Sequence, residues 1–314
     1  MHFYWKTRLR NKLEKTEGLE MKIENKIAPI IPAFLKNGFI KRRKEKKLEE
    51  LKNMKRVTKE EIITDLKKLG LKKEDIVLAH SSLSAIGYVV GGADTVVNAL
   101  LETVGPKGTI LMPAYPMNGT MLEYAKTDPL FDPKIDPSQM GKITEAFRLR
   151  KEALRSLHPT HSVAAIGPHA EYLLKNHEKL QTPCGKTSPF YKLTDLDGRI
   201  LHLGSRFGQT TSVHVIEDLI DDFPHKVYLD GLIPMRYLAD KGVEYTVLIK
   251  VHDPETSKTR IDKNIEKEKE IYKYCLEDGV VTTSKVGYAT SHLIKAKGLE
   301  EVLEKLLARG ITIY

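Results

Sequence analysis

The chain has 314 residues, of which 41% are hydrophobic and 30% are charged, and this composition excludes disordered and fibrous proteins. Its two cysteines argue against a disulfide framework, and no apolar run approaches the roughly 20 residues that cross a bilayer. The first residues, MHFYWKTRLR, lack the apolar stretch of a secretory signal. We therefore expect a cytoplasmic protein.

The net charge of +9 is unevenly distributed. Residues 1–56 contain 17 basic and 7 acidic residues, whereas the remainder contains 34 basic and 35 acidic residues. This division predicts a basic N-terminal helical arm, 1–56, followed by one globular domain, 57–314. Because that domain is neutral, we expect no nucleic-acid partner.

The arm allows two interpretations. It combines Phe3, Tyr4 and Trp5 with the basic run KRRKEKK that begins at Lys41. Such a segment is typical of a solvated arm or a helical pair that packs on a partner subunit, which would make the protein an oligomer. Peripheral contact with an anionic membrane is the alternative. The sequence does not separate the two.

The domain begins with a clear helix signal. Thr58 followed by Glu61 has the spacing of a capping box, and an apolar stripe follows until Gly70 ends the helix. A buried strand, DIVLAH, starts at Asp75 and leads into the polar turn from His80 to Ser84. After Gly91-Gly92 a helix is predicted from Asp94 to Val104.

The strand TILMPAY completes a βαβ unit, which indicates a mainly parallel sheet. Ligands of such sheets bind beyond the carboxyl ends of the strands. The turn after DIVLAH and the Gly91-Gly92 helix start therefore lie at an expected binding edge, although a Gly-Gly pair can also be just a tight turn.

The remaining pattern alternates helices and strands. Residues 113–137 are irregular and rich in proline, as in functional loops. We predict helices at 140–157, 170–177, 264–277 and 299–307, and strands at 162–167, 199–204, 243–251 and 311–314. The fold class is therefore α/β.

Groups that exchange protons near neutral pH concentrate between Leu157 and Asp222, where five of the eleven histidines lie between His158 and His202. In the segment SVHVIEDLIDD, helical spacing places His214, Glu217 and Asp218 on one stripe. That stripe either faces water or lines a cleft in which carboxylates orient a histidine.

The residues of this region also allow two other chemistries. His158, His161 and His169, or His214 with Glu217, suggest a metal, but no compact ligand signature closes the set, and we expect none. Cys184 could be the nucleophile of a hydrolase, but a small buried residue is the favoured interpretation.

Long blocks of the chain resemble the aminoglycoside 3-N-acetyltransferase family. They are HSSLSAIGYVVGGADTVVNALLETVGPKGTILMPAY, FDPKIDPSQMGKITEAFRLRKEALRSLHPTHSVAAIG and CGKTSPFYKLTDLDGRILHLGSRFGQTTSVHVIED, with a weaker echo in VGYATS. The resemblance implies an α/β/α sandwich of three layers. It also implies transfer of an acyl group from acetyl-coenzyme A to an amine of an aminoglycoside or amino sugar.

The resemblance also implies site residues. The coenzyme contacts are expected at Ser81, Ser82, Leu83, Gly91 and Gly92. It implies His177 as the general base and Glu217 as the carboxylate that orients it. His214, Asp218 and Thr211 are expected to contact the acceptor, and Thr211 or the Ser81–Ser82 turn to stabilise the oxyanion.

The predicted function is direct transfer within a ternary complex, because a histidine base can take the proton of the attacking amine. One alternative is an acyltransferase of surface-polysaccharide biosynthesis that acts on a nucleotide-linked amino sugar. The alternative of another class is a non-catalytic protein that binds a membrane or partner through its arm.

Overall fold

The structure is a computed structural model, which describes Glu49 and residues 56–314. Lys55–Tyr314 form one compact unit. The arm predicted at 1–56 lies almost wholly outside the described residues, so the boundary between arm and domain stays a prediction. Among the helices that the structure describes, none has the length and apolarity to span a bilayer.

Ten α-helices and twelve strands occur in the described part of the chain. The strands are β1 (Arg56–Val57), β2 (Ile76–Ser81), β3 (Tyr88–Val89), β4 (Thr109–Pro113), β5 (Leu130–Phe131), β6 (Leu154–Arg155), β7 (Val163–Ile166), β8 (Arg199–Leu203), β9 (Ile233–Leu238), β10 (Glu244–Ile249), β11 (Val281–Val286) and β12 (Ala289–Lys295). The helices are α1 (Lys59–Leu69), α2 (Leu83–Ile86), α3 (Gly92–Val104), α4 (Met121–Ala125), α5 (Lys142–Arg148), α6 (Ala170–Leu174), α7 (Pro189–Asp195), α8 (Val215–Leu219), α9 (Ile265–Glu277) and α10 (Ala296–Leu307).

The predicted first helix is confirmed together with its cap. The Thr58 hydroxyl accepts the Glu61 N–H at 3.3 Å, and the Glu61 carboxylate accepts the Thr58 N–H at 3.0 Å. The helix ends at Gly70, whose φ of 111° is open to glycine at little cost.

The main sheet has seven strands in the order β11-β12-β8-β2-β4-β7-β6. Only β8-β2 and β2-β4 pair in parallel, and the other four pairings are antiparallel. The prediction of a mainly parallel sheet is therefore wrong outside its centre. β5, β9 and β10 form a separate small sheet, and β1 pairs with β3.

Successive side chains of the central strands point to opposite faces of the sheet, and this divides the core into two layers. In β2, Leu78 packs into one hydrophobic cluster, whereas Val77 and Ala79 pack into the other. Helices α1, α3 and α5 cover the second face, and α6, α7, α9 and α10 cover the first. The sheet between two helical layers gives the expected α/β/α sandwich.

The connections differ from prediction where the chain turns at the site. The helix predicted at 140–157 is shorter in the structure, where α5 covers only Lys142–Arg148 and the strand β6 follows it. The helix predicted at 170–177 ends at Leu174, and His177 begins a separate 3₁₀ turn. The strand predicted at 311–314 is absent from the described fold; those residues are irregular.

One edge of the sheet gathers the polar segments. The parallel strands β2, β4 and β8 end there at Ser81, Pro113 and Leu203. Because β7 runs antiparallel and pairs Val163 with Pro113, the segment 158–162 before it reaches the same edge. The turn after β8 leads directly to His214 and Glu217.

Candidate active site

His214 and Glu217 form the ion-pair-like contact of the site. His214 closes the 3₁₀ turn Thr211–His214, and Glu217 lies one turn later in α8, so their side chains meet at i, i+3. The His214 Nδ1 lies 2.8 Å from Glu217 Oε1. Because a carboxylate only accepts, Nδ1–H donates and Nε2 keeps its lone pair. The His214 side chain is 13% exposed, whereas that of Glu217 is 0% exposed.

Glu217 receives two further donors from distant parts of the chain. His252 Nε2 lies 3.0 Å from Oε1, and the Tyr314 hydroxyl donates to Oε2 at 2.6 Å. Burial alone would raise the pKa of the Glu217 carboxyl, but the charge and hydrogen bonds of His214 and His252 hold that pKa well below its usual range. The carboxylate therefore stays ionised and fixes the His214 ring.

The predicted pairing of His177 with Glu217 is wrong. His177 is completely buried, its Nε2–H donates to the Pro183 carbonyl at 2.9 Å, and its Nδ1 lies 2.9 Å from the Ser156 hydroxyl. Its ring stacks on that of His158 at 4.7 Å between centroids. Burial lowers the pKa of His177 to about 3, so the imidazole is neutral and both nitrogens are engaged. These contacts suit a structural residue of the core.

Thr211 and Asp218 lie beside the pair but already have partners. The Thr211 hydroxyl is 2.8 Å from the Tyr115 hydroxyl. Asp218 accepts from the Cys184 N–H at 2.8 Å and from the Tyr228 hydroxyl at 2.5 Å. Burial, together with the negative charge of Glu217, raises the pKa of Asp218 to about 6. Asp218 therefore anchors the loop of Cys184 to α8.

Cys184 lacks the surroundings of a nucleophile. It is a free cysteine with a completely buried side chain, and burial raises the pKa of its thiol well above the usual value. A thiolate nucleophile needs the opposite shift and an accessible sulfur. The favoured interpretation of Cys184 as a small buried residue agrees with this geometry.

The expected coenzyme turn follows β2. Ser81 ends the strand with a buried hydroxyl that has no partner among the described residues, and the Ser82 N–H donates to the Leu203 carbonyl at 2.9 Å. Leu83 starts the short helix α2. Gly91 and Gly92 precede and open α3, with φ of 78° and 65°. These five residues therefore occupy the sheet edge and one helix start, as their positions in the sequence suggested.

A cleft of about 430 Å³ opens next to this turn. Ala85 and Gly204 line its inner side, and Tyr272 and Tyr288 contribute aromatic rings. A Cβ at Gly204 would lie 2.7 Å from the Ala85 Cβ, so only glycine lets the turn after β8 approach α2 this closely. The cleft is basic, since it is also lined by Arg206, Lys269 and Lys285. Gly91 and Gly92 are not among its lining residues.

Sequence reasoning missed His252 and Tyr314. They lie 35 and 97 residues beyond Glu217, and neither stands in a recognisable motif. His214, by contrast, was visible from its i, i+3 spacing to Glu217.

Residues 78–308 match the sequence profile of a family described as aminoglycoside 3-N-acetyltransferase. The chain is similar to aminoglycoside N(3)-acetyltransferase IX of Micromonospora chalcea, with 30% identity over 76% of this chain and 89% of that protein. It is also 31% identical to aminoglycoside N(3)-acetyltransferase VII of Streptomyces paromomycinus, over 80% of this chain and 92% of that protein.

Solved structures give the same result. The crystal structure of aminoglycoside acetyltransferase AAC(3)-Xa is 29% identical, covers 87% of this chain and 99% of its own, and superposes with a TM-score of 0.73. The enzyme AAC-VIa, solved with bound sisomicin, is 29% identical with a TM-score of 0.67 over 81% of this chain and 99% of its own. A structure of AAC-IIIb with CoASH is 25% identical with a TM-score of 0.68, over 83% of this chain and 99% of its own.

Proposed function

Because the chain belongs to the aminoglycoside 3-N-acetyltransferase family, and is therefore an N-acetyltransferase that uses acetyl-coenzyme A, we propose that His214 is its general base. The observation that carries this assignment is the 2.8 Å contact from His214 Nδ1 to Glu217 Oε1. It leaves Nε2 as a bare acceptor on a side chain that is partly exposed. Among the histidines of the predicted site, His177 offers no free nitrogen.

The chemistry follows from this tautomer. An amine is largely protonated near neutral pH, and it must lose a proton to attack the thioester carbonyl carbon. That first proton goes to solvent. The neutral amine then attacks, and Nε2 of His214 takes the second proton, which the nitrogen loses as the C–N bond forms, while the ionised Glu217 stabilises the resulting imidazolium. The C–S bond then breaks, and the coenzyme leaves as a thiolate that takes up the proton from the His214 imidazolium, which restores the base. Transfer is direct, so no acyl-enzyme is formed.

The oxyanion of the intermediate needs hydrogen-bond donors near the coenzyme turn. Two groups support a site there: the Ser81 hydroxyl, which is buried without a partner among the described residues, and the hydroxyl of Thr211, three residues before His214. We assign the thioester end of the coenzyme to the turn of Ser81, Ser82 and Leu83. The start of α3 at Gly91 and Gly92 borders the same sheet edge.

The basic cleft suits the nucleotide end of the coenzyme. Lys269 and Lys285 offer ammonium groups to phosphates, and the rings of Tyr272 and Tyr288 offer surfaces for adenine. Arg206 also lines the cleft and is held by its ion pair with Glu268. The volume of about 430 Å³ is in the range of small-molecule sites.

A cationic acceptor fits the surroundings of the base better than an anionic one. Asp221 and Asp222 are exposed directly after α8, and Asp253 follows His252. Carboxylates at these positions attract the ammonium groups of an aminoglycoside and repel the diphosphate of a nucleotide-linked sugar. An aminoglycoside-like amino sugar is therefore the proposed acceptor.

The test is a thiol-release assay with acetyl-coenzyme A across aminoglycosides and nucleotide-linked amino sugars. The wild type should release thiol with aminoglycosides, and His214→Gln should lower kcat about 100-fold or more while coenzyme binding is retained. His169→Gln, at a partly exposed histidine outside the site, is the matched control. Undiminished turnover in the His214 variant would exclude it as the base. Thiol release with only the nucleotide-linked sugars would overturn the acceptor.

For the basic arm we propose peripheral attachment to anionic membranes, supported by the mixture of aromatic and basic residues at 1–56. Co-sedimentation with vesicles that contain phosphatidylserine should decrease when Lys41, Arg42 and Arg43 are each changed to Glu. Equal sedimentation would leave a partner subunit as the contact of the arm, which size-exclusion chromatography of the same variant would reveal.

A further inference from the structure

Three metal-ligating groups meet at the base. His214 Nδ1, Glu217 Oε1 and His252 Nε2 all lie within 4.8 Å of one another. Two imidazoles and one carboxylate are a donor set that zinc and its neighbours in the first transition row accept, and a fourth position would remain open. The third donor comes from the loop after β10, so the sequence spacing of His214 and Glu217 alone did not close the set.

The two contacts of the His252 ring compete for one hydrogen. Its Nε2 lies 3.0 Å from Glu217 Oε1, and its Nδ1 lies 3.0 Å from the sulfur of Met121. Both the carboxylate and the thioether are acceptors. A neutral imidazole carries only one N–H, so one of its nitrogens must face an acceptor with a bare lone pair.

A cation beside Glu217 Oε1 removes this conflict. His252 Nε2 would then direct its lone pair at the ion, and Nδ1–H would donate to the Met121 sulfur. A ligating histidine commonly uses its second nitrogen in this way, because that contact fixes the ring and its tautomer. The Tyr314 hydroxyl already holds the other carboxylate oxygen at 2.6 Å, which leaves Oε1 to the ion.

The local charge also suits a divalent ion. Glu217 and Asp218 are adjacent carboxyl groups in a largely buried helix, and Asp218 accepts from neutral donors only, the Tyr228 hydroxyl and the Cys184 N–H. The nearby guanidinium of Arg260 is already paired with Asp262, so it leaves room for a further cation beside Glu217.

We propose that His214, Glu217 and His252 bind a divalent transition-metal ion of the zinc class, and that the bound ion inhibits acetyl transfer. The inhibitory half rests on the proposed role of His214. When Nδ1 of His214 gives its lone pair to the ion, the proton of the neutral ring moves to Nε2. Nε2 then has no lone pair for the proton of the amine. The His252 proton moves to Nδ1 in the same way, so no net proton is released.

Of the three proposed ligands, His214 is the most exposed. The side chain of Glu217 is fully buried and that of His252 is 9% exposed, whereas His214 is 13% exposed. An ion would enter past His214, and by moving the ring proton to Nε2 it would remove the lone pair that the amine uses. Inhibition should therefore weaken as the acceptor concentration rises.

Binding is tested first without an activity readout. Isothermal titration of the full, untagged chain with Zn²⁺ should give one site per chain, and His252→Gln should weaken it about tenfold or more. His169→Gln removes one histidine outside the trio and should leave the affinity unchanged. Unchanged affinity in the His252 variant, or no site in the wild type, would overturn the proposal.

A second measurement does not depend on a variant that folds. X-ray absorption of the wild type with one equivalent of zinc should show histidine nitrogens at about 2.0 Å. A shell of oxygen atoms without histidine scattering would mean surface binding and would reject the site.

Turnover with zinc then separates the two proposals. Inhibition that a chelator reverses supports both. Zinc bound to the trio with unchanged turnover overturns the inhibitory half and the role of His214 as base. An inactive His214→Gln enzyme whose wild type binds no zinc rejects the metal site and leaves the proposed function intact.

Discussion

Tyr314 donates its hydroxyl to Glu217 at 2.6 Å, although 97 residues separate the two along the chain. The phenol is buried, and its ring also contacts those of Phe223 and His225. Tyr314 therefore acts through Glu217 and positions the carboxylate that orients His214.

Tyr314→Phe should lower kcat about tenfold. A hydrogen bond to a charged group contributes about 1.5–3 kcal/mol, and about 1.4 kcal/mol corresponds to one factor of ten in rate. The phenylalanine ring keeps the packing, but the lost hydrogen bond lowers the free energy of unfolding by a similar amount, so the melting temperature should fall by several degrees while the protein stays folded at 25 °C. KM for acetyl-coenzyme A should stay constant. Tyr245→Phe, which removes the hydroxyl of an exposed tyrosine, is the control. Equal kcat in both variants would mean that Tyr314 has only a structural role.

Glu217→Gln should change the acid limb of the stability curve. The folded state holds the pKa of Glu217 below its unfolded value of about 4.3, so the ionised group stabilises the protein above that pH. This contribution is lost as the pH falls below about 4.3 and through the folded pKa. Urea unfolding between pH 3 and 6 should therefore show a shallower loss of stability in the variant. Parallel curves for variant and wild type would contradict the depressed pKa.

His177→Gln should affect stability rather than chemistry. The buried ring loses contacts with Ser156 and Pro183, which should cost about 1–3 kcal/mol. The folded fraction should keep the kcat of the wild type. A loss of turnover as large as that expected for His214→Gln, in a protein with normal circular dichroism, would restore His177 as the base.

The same variant has a pH signature. Burial lowers the pKa of His177 to about 3, whereas the unfolded chain takes up a proton near pH 6.5. The unfolded state thus binds more protons, and wild-type stability falls as the pH drops from about 6.5 towards 3. Replacing His177 should reduce the number of protons taken up on unfolding by up to one, so the free energy of unfolding should depend less steeply on pH. Denaturant melts at pH 4, 5 and 7 would measure it.

Lys269→Ala with Lys285→Ala should raise KM for acetyl-coenzyme A about tenfold without changing kcat. Both lysines line the basic cleft, whose lining includes neither His214 nor Glu217. Salt should weaken coenzyme binding less in the double variant than in the wild type, because two phosphate contacts are missing. Lys297→Ala, at an exposed helix position outside the cleft, is the control. An unchanged KM would place the nucleotide elsewhere.

Local signals predicted the elements that depend on neighbouring residues. The capping box of Thr58 and Glu61 formed as expected, since both partners lie within one helical turn. The i, i+3 spacing of His214 and Glu217 was visible for the same reason. The direction of β7 and β12 was not, because it depends on how distant strands pair.

His177 illustrates the limit for site residues. In the sequence it stands near the end of an apolar helix pattern, where a catalytic and a buried histidine look alike. In the structure α6 ends at Leu174, Asn176 adopts a φ of 66°, and the chain turns the His177 ring into the core. The polar stripe of SVHVIEDLIDD left open whether it faces water or a cleft. In the structure Glu217 is buried and contacts His252 and Tyr314, which lie far along the chain and could not be paired with it from the sequence.

The residues that donate to Glu217 are far apart along the chain, so they become available at different times during synthesis. A chain still on the ribosome at residue 250 already contains His214 and its carboxylate, but neither His252 nor Tyr314, so the ring lacks its final alignment. Catalytic competence should thus appear only after the whole domain has been synthesised and closed around α8. A chain of that length also lacks Lys269, Tyr272, Lys285 and Tyr288 of the proposed coenzyme cleft, so coenzyme binding and acetyl transfer should both report on complete maturation.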